Sequence, residues 1–116
     1  MDCTVLPLTI PAKLVKILEL LETEGKALLV AGAGNDGSNT PIDGYPTSFA
    51  GTDTTYGLLN NMIVVGASDK NNQHAVFSQR ADFVRVYAPG QKVVVTKHPD
   101  SKRSGYKYGN GTSFGE

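Results

Sequence analysis

Two short runs of apolar residues stand out from a chain that is otherwise rich in polar turns. One covers residues 27–31, ALLVA, and enters the glycine-rich turn GAGNDG, and the other covers residues 62–67, MIVVGA. A continuous apolar run bounded by glycines is typical of a central parallel strand, because both faces of such a strand are covered. The pattern therefore predicts two buried parallel strands that are neighbours in one sheet.

A helix is predicted before the first strand, over residues 11–24. Proline is favoured in the first turn of a helix, as at Pro11, and Gly25 supplies a natural stop. The apolar positions between them recur at helical spacing and form one stripe: Leu14, Val15, Ile17, Leu18 and Leu21. A helix that leads into a buried strand indicates an α/β sheet with this helix packed on it.

The remaining segments predict shorter strands separated by loops. Residues 83–87 alternate in polarity and end at a break over residues 88–90, and residues 91–96 form another strand candidate. Residues 75–78 predict a short extended piece. Residues 97–108 are polar and turn-rich, which favours a surface hairpin or loop.

Composition and charge exclude several classes of partner. A chain of 116 residues is one domain, which at this size buries about two-thirds of its unfolded surface. Its eleven basic and eleven acidic residues cancel, and no segment forms a basic stripe. Neither nucleic acid nor an anionic membrane is therefore predicted as a partner.

The first residues carry little further chemistry. The single cysteine, Cys3, excludes an internal disulfide and a multi-cysteine metal site. No apolar run approaches the roughly 20 residues of a membrane span. Residues 1–10 are a mostly apolar lead-in without the basic and long apolar parts of a signal peptide, and the compartment stays open.

Asn35 is the first candidate functional residue, because chemistry in parallel sheets collects just past the carboxyl ends of the strands. Two other interpretations of its loop stay open. Gly32, Gly34 and Gly37 can be ordinary turn glycines, with Asn35 tolerating a left-handed backbone. GAGNDG also matches the dinucleotide fingerprint G-x-G-x-x-G, but no helical period follows that could hold a pyrophosphate. A nucleotide-binding domain is therefore the remote alternative.

Ser113 is the second candidate. It lies in GNGTSFGE, a tight turn of small residues over positions 109–116. A serine on a sharp turn can act as a nucleophile once a base takes its proton, whereas the alternative interpretation is a flexible tail. The spacing does not fit the G-x-S-x-G elbow of the α/β-hydrolases.

The order of several short motifs is more specific than any one of them. A helix is followed by VAGAGN, GYP, VVGASD, FSQ, YAPG and NGTSF. This order resembles the second half of a subtilisin-like serine protease domain over about residues 11–116. The resemblance implies a three-layer α/β fold, a mostly parallel sheet with flanking helices, that is incomplete in this chain. Residues 1–116 are thus expected to be a partial protease domain, with a lead-in over 1–10 that does not match the family.

The resemblance also implies roles for particular residues. Ser113 corresponds to the nucleophile, and Asn35 corresponds to the oxyanion-hole donor. The walls of the substrate pocket correspond to two small-residue segments: Ala31, Gly32, Ala33, Gly34, Gly44, Tyr45 and Pro46. Aromatic–proline bonds are enriched in the cis form, so Tyr45-Pro46 is a candidate for a tight cis turn, although an ordinary loop proline stays open.

The catalytic residues of the family occur in the order Asp, His, Ser. The aspartate and the histidine lie upstream of the asparagine loop. Asp2 is the only aspartate before Asn35 in this sequence, and no histidine precedes it. His74 and His98 lie after the loop and lack the family's His-Gly context, so each is expected to be a surface histidine. Arg85 stands where relatives often carry a cation-binding aspartate, and no metal site is predicted.

The sequence thus predicts a fragment of a subtilisin-like serine endopeptidase, which cleaves peptide bonds through an acyl-enzyme and is expected to be inactive alone. The alternative is a non-catalytic module that binds peptides or an inhibitor through the surviving cleft. Protein or peptide substrates are the expected partners, and no cofactor is expected. Exposed sheet edges favour self-association. Relatives are commonly secreted, which is an expectation from the resemblance alone.

Overall fold

The computed structural model describes residues 10–25, 27–51, 58–98 and 105–116. The elements of these residues are α1 (Ile10–Thr23), β1 (Leu29–Gly32), β2 (Met62–Ser68), β3 (Val84–Pro89), β4 (Val93–Thr96) and β5 (Tyr106–Gly109). Two 3₁₀ turns, Thr47–Ala50 and Thr112–Phe114, complete them. Most of the predicted lead-in lies outside the described residues.

The three-stranded sheet β1-β2-β3 is parallel throughout. Val30 pairs with Ile63 and Ala31 with Val64, so the two apolar runs are neighbouring parallel strands. This confirms the predicted α/β class and strand pairing. The first strand begins two residues later than predicted, at Leu29, and the second continues to Ser68.

Helix α1 packs on one face of this sheet, as predicted. Its Val15 is buried in a cluster with Phe49 and Leu59, against which Leu14, Leu18, Leu29 and Met62 also pack. Ile17 was predicted to widen this apolar stripe, and that prediction is wrong, because its side chain is 59% exposed. Two positions rotate a helical side chain by about 200°, so Ile17 points away from the side that buries Val15.

The opposite face of the sheet is only half covered by the described residues. Near the carboxyl ends of the strands the C-terminal turn lies over it, and a Cβ on Gly115 would be 3.3 Å from Val65. Towards the amino ends, Leu28, Val30 and Val86 remain exposed, Val30 by 47%. The expectation that an apolar run has both faces covered is therefore wrong for this half of β1.

The second sheet is a two-stranded antiparallel ribbon of β4 and β5. The strand predicted over residues 91–96 thus pairs with β5, which begins inside the region 97–108 predicted as a surface hairpin or loop; residues 99–104 are not described. Two boundaries differ from the predictions. Strand β4 begins at Val93, because Lys92 has a left-handed backbone (φ 53°). Strand β3 runs through the predicted break to Pro89, which an edge strand tolerates because the missing N–H can face away from the ladder.

One loop differs from its prediction, and a second loop adopts the cis alternative that the sequence left open. The extended piece predicted over residues 75–78 is a turn, preceded by an isolated bridge between Ser68 and His74. The Tyr45-Pro46 peptide bond is cis. Of the helices in the described part of the chain, none is long and apolar enough to cross a membrane.

Candidate active site

Asn35 and Ser113 lie in two segments that are far apart in sequence and joined by hydrogen bonds. Asn35 follows β1 at its carboxyl end, and Ser113 lies in the 3₁₀ turn that follows β5. The backbone N–H of Thr112 donates to the Asn35 Oδ1 over 2.8 Å. In return the Gly34 N–H donates to the Thr112 hydroxyl over 3.1 Å. The structure therefore brings together the two residues that the sequence singled out.

These bonds orient the Asn35 amide. Its Oδ1 accepts the Thr112 N–H, so its Nδ2 group is the end left to donate to a ligand. Asn35 Nδ2 and Ser113 Oγ both flank Gly111: a Cβ there would lie 3.7 Å from the nitrogen and 3.3 Å from the hydroxyl oxygen. Glycine at 111 therefore leaves the space between these two groups open.

Close backbone approach around the turn depends on glycine at two more positions. The Gly111 N–H donates to the Gly90 carbonyl over 2.8 Å, and a Cβ on Gly90 would lie only 2.6 Å from the Gly111 oxygen. A Cβ on Gly32 would lie 2.8 Å from the Thr112 Oγ1. The turn that carries Ser113 therefore packs against the ends of β1 and β3. Only glycine fits at positions 32 and 90, because a Cβ there would overlap the turn.

The two segments predicted as pocket walls also lie together. The Thr47 hydroxyl, one residue after the cis proline, donates to the Gly32 carbonyl over 3.0 Å. Tyr45 is half exposed, and its ring lies 4.8 Å from that of the buried Phe49. Ala33 packs in the core with Ile42, Val64 and Val84, and Ala31 is buried as well. Only the backbone of these two alanines could line a pocket, and the roles of all seven wall residues stay predictions.

The loop that carries Asn35 forms hydrogen bonds with residues between β2 and β3 that were not predicted to belong to the site. The Gly37 N–H donates to the Phe77 carbonyl over 2.8 Å, and the Gln79 N–H donates to the Gly34 carbonyl over 3.0 Å. No local pattern in the sequence indicates this contact. FSQ contributed to the resemblance only as a motif, and nothing in it indicated that Gln79 reaches the asparagine loop.

Neither histidine has the setting expected for a base at Ser113. His74 was predicted to be a surface histidine, but it is half-buried, and its ring lies edge-on to Tyr87 at 5.2 Å. Its Nε2 is buried without a hydrogen-bond partner among the described residues. Burial, and secondly the charge of Arg80, lower the pKa of His74 below its ordinary value of 6.5. His98 is exposed, as predicted.

Ser113 itself is exposed, and no hydrogen bond of its hydroxyl is found among the described residues. The same part of the chain contains no group of three His, Cys, Asp or Glu side chains arranged to hold a metal ion. The glycine-rich loop after β1 leads into turns and the 3₁₀ segment Thr47–Ala50 rather than into an α-helix. It therefore lacks the helix N-terminus that a dinucleotide fingerprint uses.

Comparison with known proteins agrees with the fold and with the order of the motifs. The model of the subtilase family, peptidase S8, matches residues 9–115. The Alkaline elastase YaB of Bacillus sp. strain YaB is 35% identical over 92 residues, which are 79% of this chain and 20% of that protein. Subtilisin BL of Lederbergia lenta is 36% identical over 92 residues, again 79% of this chain and 28% of the relative.

Among solved structures, the prenylagaramide maturation protease PagA superposes with a TM-score of 0.64 at 28% identity. The superposition covers 88% of this chain and 32% of that protein. The chain belongs to the subtilase family. It spans between 12% and 28% of the length of the curated relatives that it matches.

Proposed function

We propose that this chain carries the nucleophile and the oxyanion-binding part of a subtilisin-like serine endopeptidase site. Ser113 is the nucleophile, and Asn35 is the oxyanion donor. The observation that carries the proposal is the hydrogen bond from the Thr112 N–H to the Asn35 Oδ1. It leaves the asparagine's donor end free beside the serine, which is the arrangement that this chemistry needs.

In the proposed reaction the Ser113 Oγ attacks the carbonyl carbon of a peptide bond while a base takes the hydroxyl proton. The carbonyl oxygen becomes an oxyanion, which accepts hydrogen bonds from the Asn35 Nδ2 and from the Ser113 backbone N–H. The amine then leaves with a proton, and an acyl group stays on Ser113 until water removes it. Because the donors are held in place beforehand, they stabilise the charge without reorganising.

The proposed reaction also needs a base, and this sequence does not place one beside Ser113. In the family order, the aspartate and the histidine precede the oxyanion asparagine. Asp2 is the only aspartate before Asn35 here, and no histidine precedes it. The burial of the His74 Nε2 against Tyr87 is consistent with a base outside these residues. We therefore propose that the 116 residues alone do not activate Ser113.

The proposed substrate is a protein or peptide in extended conformation. Gly44, one of the predicted wall residues, has open space where a Cβ would stand, so a substrate can approach its backbone closely. Lysine and arginine do not cluster in a way that would favour nucleic acid. A second candidate function is a peptide- or inhibitor-binding module, favoured by an exposed Ser113 whose hydroxyl has no hydrogen-bond partner among the described residues.

A hybrid protein separates these functions. In the hybrid, residues 9–115 of this chain, which the family model matches, replace their counterpart in Subtilisin BL. The remainder of the hybrid then supplies the positions where the family carries its aspartate and histidine. A fluorophosphonate probe, which reacts with activated serines, is expected to label the hybrid at Ser113 and to leave the 116-residue chain unlabelled at neutral pH.

The controls assign the labelled residue. Ser113→Ala must abolish labelling of the hybrid, whereas Ser38→Ala, in the loop after Asn35, must leave it unchanged. A folded hybrid that is not labelled contradicts the endopeptidase proposal and favours the binding module. Stoichiometric labelling of the isolated chain at Ser113 contradicts its proposed inactivity.

A further inference from the structure

We propose that Gln79 is a positioning residue for the oxyanion donor: it clamps the loop that carries Asn35 at its entry through the backbone N–H and at its exit through the side-chain amide. The inference rests on the proposed role of Asn35, but its test does not use catalytic activity. Gln79 lies 44 positions after Asn35 in a separate loop between β2 and β3. It is only 4% exposed, although a glutamine side chain is ordinarily solvated.

The Gln79 carbonyl accepts a long hydrogen bond from the neighbouring Ser78 hydroxyl over 3.4 Å, and the other polar contacts of Gln79 in the described residues go to the asparagine loop or its immediate flank. Its backbone N–H donates to the Gly34 carbonyl over 3.0 Å, directly before Asn35. Its side-chain Nε2 donates to the Pro41 carbonyl over 2.7 Å and to the Thr40 carbonyl over 3.3 Å. One residue therefore holds the loop at its entry and at its exit.

The entry contact is also steric. Gly34 has a φ of +108°, which is accessible to glycine and rarely to other residues. A Cβ on Gly34 would overlap the side-chain oxygen of Gln79. The carboxamide thus occupies the volume beside Gly34, and the missing side chain at 34 and the buried side chain at 79 are two parts of one contact.

The clamp acts on Asn35 because the asparagine has few contacts of its own. Asn35 is exposed, so its direction is set by the backbone on either side and by the bond from the Thr112 N–H. Within the loop, the Thr40 N–H donates to Gly37 and the Thr40 hydroxyl donates to the Asp36 carbonyl. These bonds make residues 36–40 a compact turn, and Gln79 fixes that turn against the rest of the domain.

The test compares two amides of the C-terminal turn by hydrogen exchange in the ¹⁵N-labelled 116-residue chain. The Thr112 amide donates to Asn35, and its neighbour Gly111 donates to Gly90, which is not part of the asparagine loop. Gln79→Met keeps the length of the side chain and removes its donor. We expect it to raise the exchange rate of Thr112 on the order of ten-fold relative to Gly111, as expected for the loss of a buried hydrogen bond.

Gln73→Met is the matched control, because Gln73 is exposed in the same β2–β3 loop; it must leave both rates unchanged. Gln79→Asn, which keeps the carboxamide on a shorter stem, is the second variant in case Gln79→Met does not fold. The proposal is overturned if Thr112 and Gly111 accelerate in parallel, if neither changes, or if Thr112 has no protection in the unmodified chain. It is also overturned if both Gln79 variants unfold while Gln73→Met stays folded, since Gln79 would then have a general structural role.

Failure of the proposed function gives a different result. If Asn35→Ala has no effect on the activity of the hybrid with Subtilisin BL, Asn35 is not the oxyanion donor. The exchange of Thr112 in the isolated chain still decides whether Gln79 positions Asn35. The two proposals therefore fail on separate measurements.

Discussion

The backbone N–H of Thr112 and the side-chain carbonyl of Asn35 are 2.8 Å apart, although the two residues are 77 positions apart in the chain. This bond distinguishes the two ends of the asparagine amide. The amide cannot turn over without breaking it, so the NH₂ group stays on the side of Ser113. A single long-range contact thus sets both the closure of the fold at this edge and the direction of the candidate oxyanion donor.

The reciprocal bond, from the Gly34 N–H to the Thr112 hydroxyl, gives the first prediction. Thr112→Val has nearly the same shape but removes the acceptor and leaves a partly buried N–H without a partner. We expect the free energy of unfolding in urea to fall by about 1–3 kcal/mol. Thr112→Ser retains the hydroxyl, so its free energy of unfolding must fall by less. Equal losses for the two variants would mean that packing, not the hydrogen bond, holds Thr112.

Gly34 gives a second prediction, because a side chain at this position would have both a strained backbone φ and a steric overlap with Gln79. Gly34→Ala forces alanine into a positive φ and drives its Cβ into Gln79, whereas Gly37→Ala meets a positive φ with open space around it. Gly44→Ala meets open space without that φ. The loss of stability should therefore rank 34 above 37 above 44, with the strain alone costing on the order of 1 kcal/mol. Urea unfolding of the three variants measures it, and equal losses at 34 and 37 would contradict the contact with Gln79.

Much of the sheet was predictable because its sequence signals are local. The runs at residues 27–31 and 62–67 are apolar over a strand's length, and they pair in parallel as expected. The helix was placed within one residue at each end from Pro11, Gly25 and the leucine spacing. The errors fall where burial depends on distant segments. Val30 looks like a core residue by type, but its exposure depends on what lies across the sheet face.

The site was predictable to a different extent. Asn35 was singled out from its place after a predicted strand and Ser113 from its tight turn, and both also from the order of the motifs. The structure brings their segments together, and their roles stay predictions. Gln79 and the Thr112 hydrogen bond could not be predicted, because a glutamine side chain that bonds a carbonyl 38 positions earlier leaves no periodic signal. The partial burial of His74 was not predicted for the same reason, since the Tyr87 ring that contacts it lies on β3.

His74 gives a pH-dependent prediction. Its pKa in the folded state lies below its ordinary value of 6.5, so folding favours the neutral imidazole. The stability that this preference contributes is complete above pH 6.5 and is lost as the pH falls through the folded-state pKa. His74→Phe keeps a ring against Tyr87 but cannot titrate. When the pH is lowered from 7.5 to below 6.5, we expect the free energy of unfolding of this variant to fall by less than that of the unmodified chain. Urea unfolding at the two pH values measures the difference, and an unchanged pH dependence in His74→Phe would contradict the expectation.

The half-covered sheet face gives a prediction about association. Leu28, Val30 and Val86 are exposed on one side of the parallel sheet. Burying apolar surface of this kind stabilises association by roughly 25 cal/mol per Å². Sedimentation velocity should therefore show concentration-dependent self-association. Val30→Glu is expected to shift the chain towards monomer, whereas Val76→Glu, at an exposed loop position 83% accessible, must not. Equal effects of the two variants would mean that net charge, not this face, controls association.

The role of Asn35 is tested most directly by the turnover number of the hybrid with Subtilisin BL on a peptide substrate. Asn35→Ala is expected to lower kcat on the order of a hundred- to a thousand-fold with little change in KM, because the donor acts on charge that develops only in the transition state. That magnitude comes from a subtilisin asparagine and is not an independent result of this geometry. Asn39→Ala, at an exposed asparagine of the same loop, must leave kcat unchanged. An Asn35→Ala hybrid that is folded and retains full kcat would contradict the assignment of Asn35 as the oxyanion donor.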